Sequence, residues 1–296
     1  MHTSLPRVEN QLTDKGYVPV YTTAVVEQPW DEYTTDDHAT WGILYRRQRE
    51  LLMGRACEAF LQAQDAMGMG QTHIPRFDTL NRLLQKATGW TLIGVQGLLP
   101  ELDFFDHLAN KRFPVTWWIR RPDQIDYIAE PDLFHDLFGH VPLLINPLFA
   151  DFMQAYGRGG VKAHDIGPNA LQNLTRLYWY TVEFGLIQTP QGLRIYGAGI
   201  VSSKGESLHS LQSPVPNRIG FDLQRIMRTR YRIDSFQKTY FVIDSFAQLM
   251  EATAPDFTAL YAALAQQTQL PAGDVLATDR VIQCGSGEGW SRDGDV

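Results

Sequence analysis

Apolar residues recur at helical spacing over residues 38–66, where Trp41, Leu44, Tyr45, Leu52, Ala56 and Phe60, with Gln48 among them, share one stripe and Arg46, Arg47 and Arg49 lie on the wet side. The pattern predicts a single amphipathic helix, started at Asp36 and Asp37 and ended by Gly68 and Gly70. Further helices are predicted over 77–88, 102–110, 146–156, 169–187, 217–227 and 255–266, and strands over 90–95, 113–119, 193–196 and within 231–243. Gly89 stops the second helix, and the glycines at 157, 159 and 160 predict a break after residue 156. The 169–187 helix is apolar nearly all round, which predicts burial, yet Glu183 stands in its middle. A buried carboxylate is costly without a cation or donors beside it, and Arg176 is one candidate partner.

Residues 130–142 read Glu-Pro-Asp-Leu-Phe-His-Asp-Leu-Phe-Gly-His-Val-Pro. Pro131 suits a first helical turn and Pro142 stops the segment, so a short helix is predicted with His135 inside it and His140 at its end. Five steps of an ideal α-helix leave two side chains roughly 140° apart, which would splay the rings. Gly139 is expected to end the helix and turn His140 back towards His135. An isolated pair of this spacing fits two ordinary histidines, one capping and one packed in a core, as well as it fits a metal site. The apolar surroundings Leu133, Phe134, Leu137, Phe138 and Val141 favour burial, and buried imidazoles need partners. With Glu183 as third donor, the set is the facial two-His, one-carboxylate arrangement of non-haem Fe(II) oxygenases. Arg120, closing the 113–119 run, either clamps a ligand carboxylate or makes a surface ion pair.

Composition narrows the chemistry. The 296 residues are 44% hydrophobic and 20% charged, ordinary for a globular chain with a sizeable core. Only Cys57 and Cys284 are present, so thiolate metal sites and disulfide frameworks are excluded, and a metal must take His and carboxylate ligands. That donor set favours iron, manganese or a catalytic zinc. The net charge of −7 argues against nucleic acid as partner, no apolar run is long enough for a membrane span, and the polar N-terminus lacks a signal-peptide core. A cytoplasmic protein is expected. It divides into an extended segment 1–35, a catalytic domain 36–270 and a loose, acidic, glycine-rich tail 271–296.

Three blocks carry a resemblance: His-Asp-Leu-Phe-Gly-His-Val-Pro at 135–142, Tyr-Trp-Tyr-Thr-Val-Glu-Phe-Gly-Leu at 178–186 and Tyr-Gly-Ala-Gly-Ile-Val-Ser-Ser at 196–203. In this order they resemble the pterin-dependent aromatic amino acid hydroxylases, most closely the bacterial single-domain phenylalanine 4-monooxygenases, over about residues 34–257. The resemblance implies a mainly α, α+β domain, a basket of packed helices around a metal with a few short strands. It implies Fe(II) on His135, His140 and Glu183, and a tetrahydropterin, either tetrahydrobiopterin or tetrahydromonapterin, against Gly97, Leu99, Phe104, Asp136 and Tyr178, with the Phe104 ring stacked on it. It places the amino acid substrate against Arg120, Tyr127, Pro131, Trp179, Phe184, Gly199 and Ser202, with Arg120 on its carboxylate, and puts Ile233 at a specificity position where an apolar side chain suits phenylalanine. Ile128 stands where animal members have Thr, which removes one polar substrate contact.

The implied activity is hydroxylation of L-phenylalanine to L-tyrosine with O2, the first step of phenylalanine catabolism, by a monomer lacking the animal regulatory and tetramerisation segments. A pterin-4a-carbinolamine dehydratase is the implied functional partner. Tryptophan or tyrosine hydroxylation is the alternative within the family. A zinc-dependent hydrolase using the same ligands is the alternative outside it, although no His-Glu-x-x-His motif is present. A binding protein with a relic iron site is the non-enzymatic alternative.

Overall fold

The computed structural model describes residues 11–13, 16–18, 20–128 and 130–289. The chain opens with β1 (Gln11–Thr13) and β2 (Gly16–Val18), an antiparallel pair, and β3 (Val25–Val26). There follow α1 (Thr35–Leu52), α2 (Glu58–Met67), α3 (Phe77–Ala87), β4 (Thr91–Val95), α4 (Glu101–Ala109) and β5 (Arg112–Thr116). Strands β3, β4 and β5 form one small sheet, with β3 antiparallel and β5 parallel to β4. The second half holds α5 (Pro147–Ile166), α6 (Pro168–Tyr178), β6 (Leu186–Thr189), β7 (Gly192–Ile195), α7 (Ala198–Val201), α8 (Lys204–Gln212), β8 (Asn217–Gly220), α9 (Leu223–Arg228), β9 (Thr239–Ile243), α10 (Phe246–Thr253), α11 (Thr258–Leu264) and β10 (Val281–Gln283). Its five strands run β10-β8-β9-β6-β7, and β9 lies parallel to both neighbours with Leu186 opposite Val242. Helices dominate around these two small sheets, the mainly α, α+β architecture expected. Among the described residues no helix is long and apolar enough to cross a membrane.

Several boundaries differ from the sequence pattern, each for a local reason. The predicted 38–66 helix is two helices, because Gly54 at φ 72° breaks it and the chain at 56–57 bonds instead to Ile195. The predicted break after 156 does not occur: α5 runs through Gly157 and Gly160, whose missing side chains admit α4. A Cβ on Gly157 would lie 2.3 Å from the Ala109 nitrogen, and one on Gly160 would lie 2.0 Å from the Phe105 ring. These glycines serve close helix packing rather than a turn. Residues 217–220 are a strand, not the start of a helix, since Asn217–Gly220 pairs with β9. The strand predicted within 231–243 is confined to β9, and α10 was not legible. Part of the expected loose tail is ordered, with β10 on β8 and Asp279 in a buried ion pair with Arg225 at 3.0 Å. The remainder of the tail, 290–296, lies outside the described residues.

The core sits directly beneath the histidine segment. Phe134 and Phe138 are fully buried and stacked at 4.8 Å, while Trp41 meets Phe134 at 5.6 Å and Tyr45 meets Phe138 at 5.5 Å, both from α1. Each such phenylalanine contributes about 2–3 kcal/mol of burial free energy. The segment carrying the histidines is thereby anchored in the core.

Candidate metal centre

The helix over the histidines does not end at Gly139. Residues His135–His140 form a π-helical turn, whose i→i+5 bonding stacks residues five apart. The two rings therefore meet without a reversal of the chain: His135 Nε2 and His140 Nε2 lie 3.1 Å apart. Gly139 has a different purpose, since a Cβ there would sit 2.9 Å from the Ala198 carbonyl oxygen and hold α7 away. Nor is Pro131 in the first turn. Asp132 takes the N-cap role, its Oδ1 accepting the His135 N–H at 3.0 Å and its carbonyl accepting Asp136 N–H.

Glu183 is delivered by a second π-turn. The helix predicted to 187 ends with Trp179–Glu183 in π geometry, and Phe184 N–H bonds Trp179 carbonyl at 2.8 Å. This brings Glu183 Oε1 to 3.1 Å from His140 Nε2 and Oε2 to 3.6 Å from His135 Nε2. Two donors each about 2.1 Å from one ion and at right angles stand about 3.0 Å apart, so three atoms spaced in this way cap one face of a single ion. Arg176, the alternative partner for Glu183, is buried and bonds Gln269 and the Met227 carbonyl instead. The donor set of two nitrogens and a carboxylate fits ferrous iron.

The protonation states of His135 and Glu183 suit the same task, whereas for His140 burial is outweighed by the neighbouring Glu183 and Asp136 carboxylates, which hold its imidazole above the ordinary value. Burial drives the His135 imidazole down to about 4, outweighing Glu183. Burial alone would raise Glu183, but the charges of His140 and His135 and a hydrogen bond from His140 hold it below the usual carboxylate range, with the Gly199 N–H helping. Ser202 sets the tautomer of His135. Its hydroxyl donates to the Ala198 carbonyl at 2.7 Å, so toward His135 Nδ1 at 2.9 Å it can only accept. The ring proton is then on Nδ1 and the Nε2 lone pair faces the cluster. Asp136 offers a second carboxylate within 4.8 Å of the histidine nitrogens. Its Oδ2 is committed to the Thr116 N–H at 2.7 Å, and burial pushes its carboxyl up to about 7.

Arg120 is not at the surface. Its Nε and Nη2 form a bidentate pair with Asp132, both bonds 2.9 Å, with the side chains 7% and 0% exposed. Burial alone would raise Asp132, but the Arg120 charge and the bonds from Arg120 and His135 keep it low and ionised. Asp132 thus ties the arginine to the ligand helix. Among the described residues Arg120 Nη1 has no hydrogen-bonded partner, which leaves that edge of the fork for a ligand anion.

Of the pterin set, Phe104 meets Tyr178 edge-on at 5.7 Å, and Tyr178 lies parallel to His140 at 6.2 Å. Gly97 and the buried Leu99 lie in the turn between β4 and α4, just before Phe104. Of the substrate set, Trp179 packs on Phe184 at 4.7 Å, and a Cβ on Gly199 would lie 2.9 Å from the Phe184 ring and 3.2 Å from Glu183 Oε2. Pro131 is half-buried beside Asp132, and Ser202 acts on His135. Two expectations do not come together with these. Tyr127 is 70% exposed and Ile233 60% exposed, and no described contact joins either to the cluster, because each sits in an irregular surface segment. Asp132 was missed, as were Tyr231, stacked on Trp179 at 4.3 Å, and Gln237, which accepts the Trp179 indole N–H at 2.9 Å. For Asp132 the signal was an acid at the start of the Leu-Phe-His segment, three residues before His135, the N-cap spacing.

Comparison with known proteins agrees with this geometry. Residues 23–263 match the family described as biopterin-dependent aromatic amino acid hydroxylase. A phenylalanine-4-hydroxylase of Ralstonia nicotianae is 63% identical over 92% of this chain and 86% of its own length, and one of Chromobacterium violaceum is 60% identical over 91% and 90%. A crystal structure of the latter with bound oxidised Fe(III) superposes with a TM-score of 0.85 at 60% identity, covering 87% of this chain and 93% of that one. Its iron- and phenylalanine-bound form gives 0.84 at 58% identity, covering 88% and 96%. With two π-turns converging a two-histidine, one-carboxylate set inside a matched region of this extent, the chain belongs to the biopterin-dependent aromatic amino acid hydroxylase family.

Proposed function

We propose that the chain is a phenylalanine 4-monooxygenase, hydroxylating L-phenylalanine to L-tyrosine with O2 and a tetrahydropterin at Fe(II) held by His135, His140 and Glu183. The observation that carries this reading is the mutual spacing of the two Nε2 atoms and the Glu183 carboxylate, 3.1, 3.1 and 3.6 Å. Its relatives named phenylalanine-4-hydroxylase support the substrate. Iron and reduced pterin, when bound, supply the activation of O2; everything else falls to side chains of the chain.

Ser202 and Asp132 orient His135, one through the ring and one through the backbone. Arg120, pinned by Asp132, receives the substrate carboxylate and fixes which end of the amino acid enters. Trp179, Phe184 and the side-chain-free Gly199 form the apolar wall that takes the ring and excludes water. Phe104, braced by Tyr178, would hold the pterin ring together with Gly97, Leu99 and Asp136. The hydrolase and binding-protein readings find no support in the matched family. The finer reading is of a cytoplasmic monomer at the head of phenylalanine breakdown, served by a carbinolamine dehydratase and either tetrahydrobiopterin or tetrahydromonapterin.

The test is tyrosine formation from phenylalanine by anaerobically prepared protein, supplied with ferrous iron and tetrahydropterin, with and without O2. Product is expected only with every component, and Glu183→Ala is expected to lose iron and activity. Iron binding without any hydroxylated product from phenylalanine, tyrosine or tryptophan would overturn the proposal.

A further inference from the structure

The loop between α9 and β9 encloses Trp179 from two directions. Tyr231 stacks on the indole face, centroids 4.3 Å apart and planes 18° from parallel. At the edge, the indole Nε1–H donates to Gln237 Oε1 at 2.9 Å. Gln237 is 3% exposed and its amide cannot flip, because its Nε2 donates to the Arg232 carbonyl at 2.9 Å and the Ser235 carbonyl at 3.4 Å. A flipped amide would set N–H against N–H at the indole. An indole has a single donor, so this is the one hydrogen bond its ring can donate, and with the Tyr231 stack it restrains the tilt of the ring.

Gln237 is in turn held from α8. Its backbone N–H donates to Glu206 Oε1 at 3.3 Å, and the same oxygen accepts the Tyr240 hydroxyl at 2.5 Å. Glu206 and Tyr240 are 5% and 0% exposed. Glu206 lies in the first turn of α8, where its own N–H is capped by Ser203 Oγ at 3.2 Å, and Ser203 follows the Ser202 that fixes His135. Residues 202–206 therefore reach the ligand ring at one end and the loop over Trp179 at the other. Among the described residues no cation pairs with Glu206, and a carboxyl buried in that way is costly to keep.

We propose that Glu206 and Gln237 are positioning residues for the aromatic substrate: Glu206 seats Gln237, and Gln237 fixes the tilt of Trp179, the wall against which the substrate ring packs. The proposal rests on the reading that Trp179 lines the substrate pocket. Within that reading it moves the specificity role of the 231–237 loop from the exposed Ile233 to the buried Gln237. The loop acts on the substrate through the ring it holds.

The experiment is steady-state kinetics of the iron-loaded protein with tetrahydropterin, with folding checked by far-ultraviolet circular dichroism and iron content. Gln237→Met keeps the volume and removes both the acceptor and the donors. It is expected to raise the phenylalanine KM about five- to tenfold, with kcat and pterin KM changed less than about twofold. In a Trp179→Phe background, which lacks the indole N–H, the same substitution is expected to change KM less than about twofold. Glu206→Leu is expected to behave as Gln237→Met, and Glu206→Gln, which keeps the accepting oxygen, to restore the wild-type KM; should Glu206→Leu not fold, the Gln237→Met pair of measurements carries the test. An unchanged KM in Gln237→Met, or an equal effect with and without the indole N–H, would overturn the proposal while leaving Trp179 in the pocket. An unchanged KM in Trp179→Ala would instead remove Trp179 from the pocket, and both readings would fall.

Discussion

Asp132 is the residue whose loss should report most directly on how the site is held. Its carboxylate accepts only from donors: Oδ2 from the Arg120 backbone N–H and Nε, Oδ1 from Arg120 Nη2 and the His135 N–H, all at 2.9–3.0 Å. Asp132→Asn is nearly isosteric, yet whichever way the amide turns, its NH2 faces two N–H groups and both bonds at that atom are lost. It also leaves the buried Arg120 guanidinium without its counter-charge. Removing one partner of a buried ion pair costs about 3–5 kcal/mol, a large share of a typical net stability of about 5–15 kcal/mol. The variant should fold, with a urea midpoint reduced accordingly and a melting temperature lower by roughly 5–8 °C. Two functional effects should accompany the loss. The phenylalanine KM should rise because Arg120 is no longer aimed, and iron affinity should fall because the N-terminus of the ligand turn loses its cap. Stability within about 1 kcal/mol of wild type, together with unaltered KM and iron affinity, would refute the argument that this carboxylate organises the site.

Three further outcomes follow from the geometry. Ser202→Ala frees the His135 ring to place its proton on either nitrogen, and a competitive chelator titration should show iron affinity reduced about 10–100-fold with the fold intact. Burial raises Glu206 from an ordinary 4.5 to about 7, so the folded state holds that proton more tightly than the unfolded chain. Its stability contribution is therefore greatest below about pH 4.5 and is lost as pH rises towards 7, by on the order of 3 kcal/mol. Relative to wild type, Glu206→Gln should gain urea stability across that window, and parallel curves would contradict the assignment. Gly160→Ala puts a Cβ 2.0 Å from the Phe105 ring, and the forced separation of α4 and α5 should cost at least about 1–3 kcal/mol in thermal unfolding.

The three motif blocks and the composition carried the chemistry without any coordinates. With two cysteines the metal ligands had to be histidine and carboxylate, and His135, His140 and Glu183 stand out as polar groups inside apolar runs. Residue type and burial pattern are local properties, which is why they are legible along a chain. The way those ligands meet was not. Both turns are π-helical, and the first is packed on Trp41, Tyr45, Phe60 and α7, contacts that no local preference encodes, so the α-helical period suggested a chain reversal at Gly139 that does not exist. The same holds for the glycines at 157 and 160, where a breaker on paper becomes the contact surface of two crossing helices. Arg120 shows the difference most plainly. Its place at the end of an apolar run was visible in the sequence, but only the fold brings Asp132 against it, and that pairing turns a long flexible cation into a fixed one. Which residues hold chemistry was written in their identity; their mutual distances were decided by long-range packing, which no local pattern encodes.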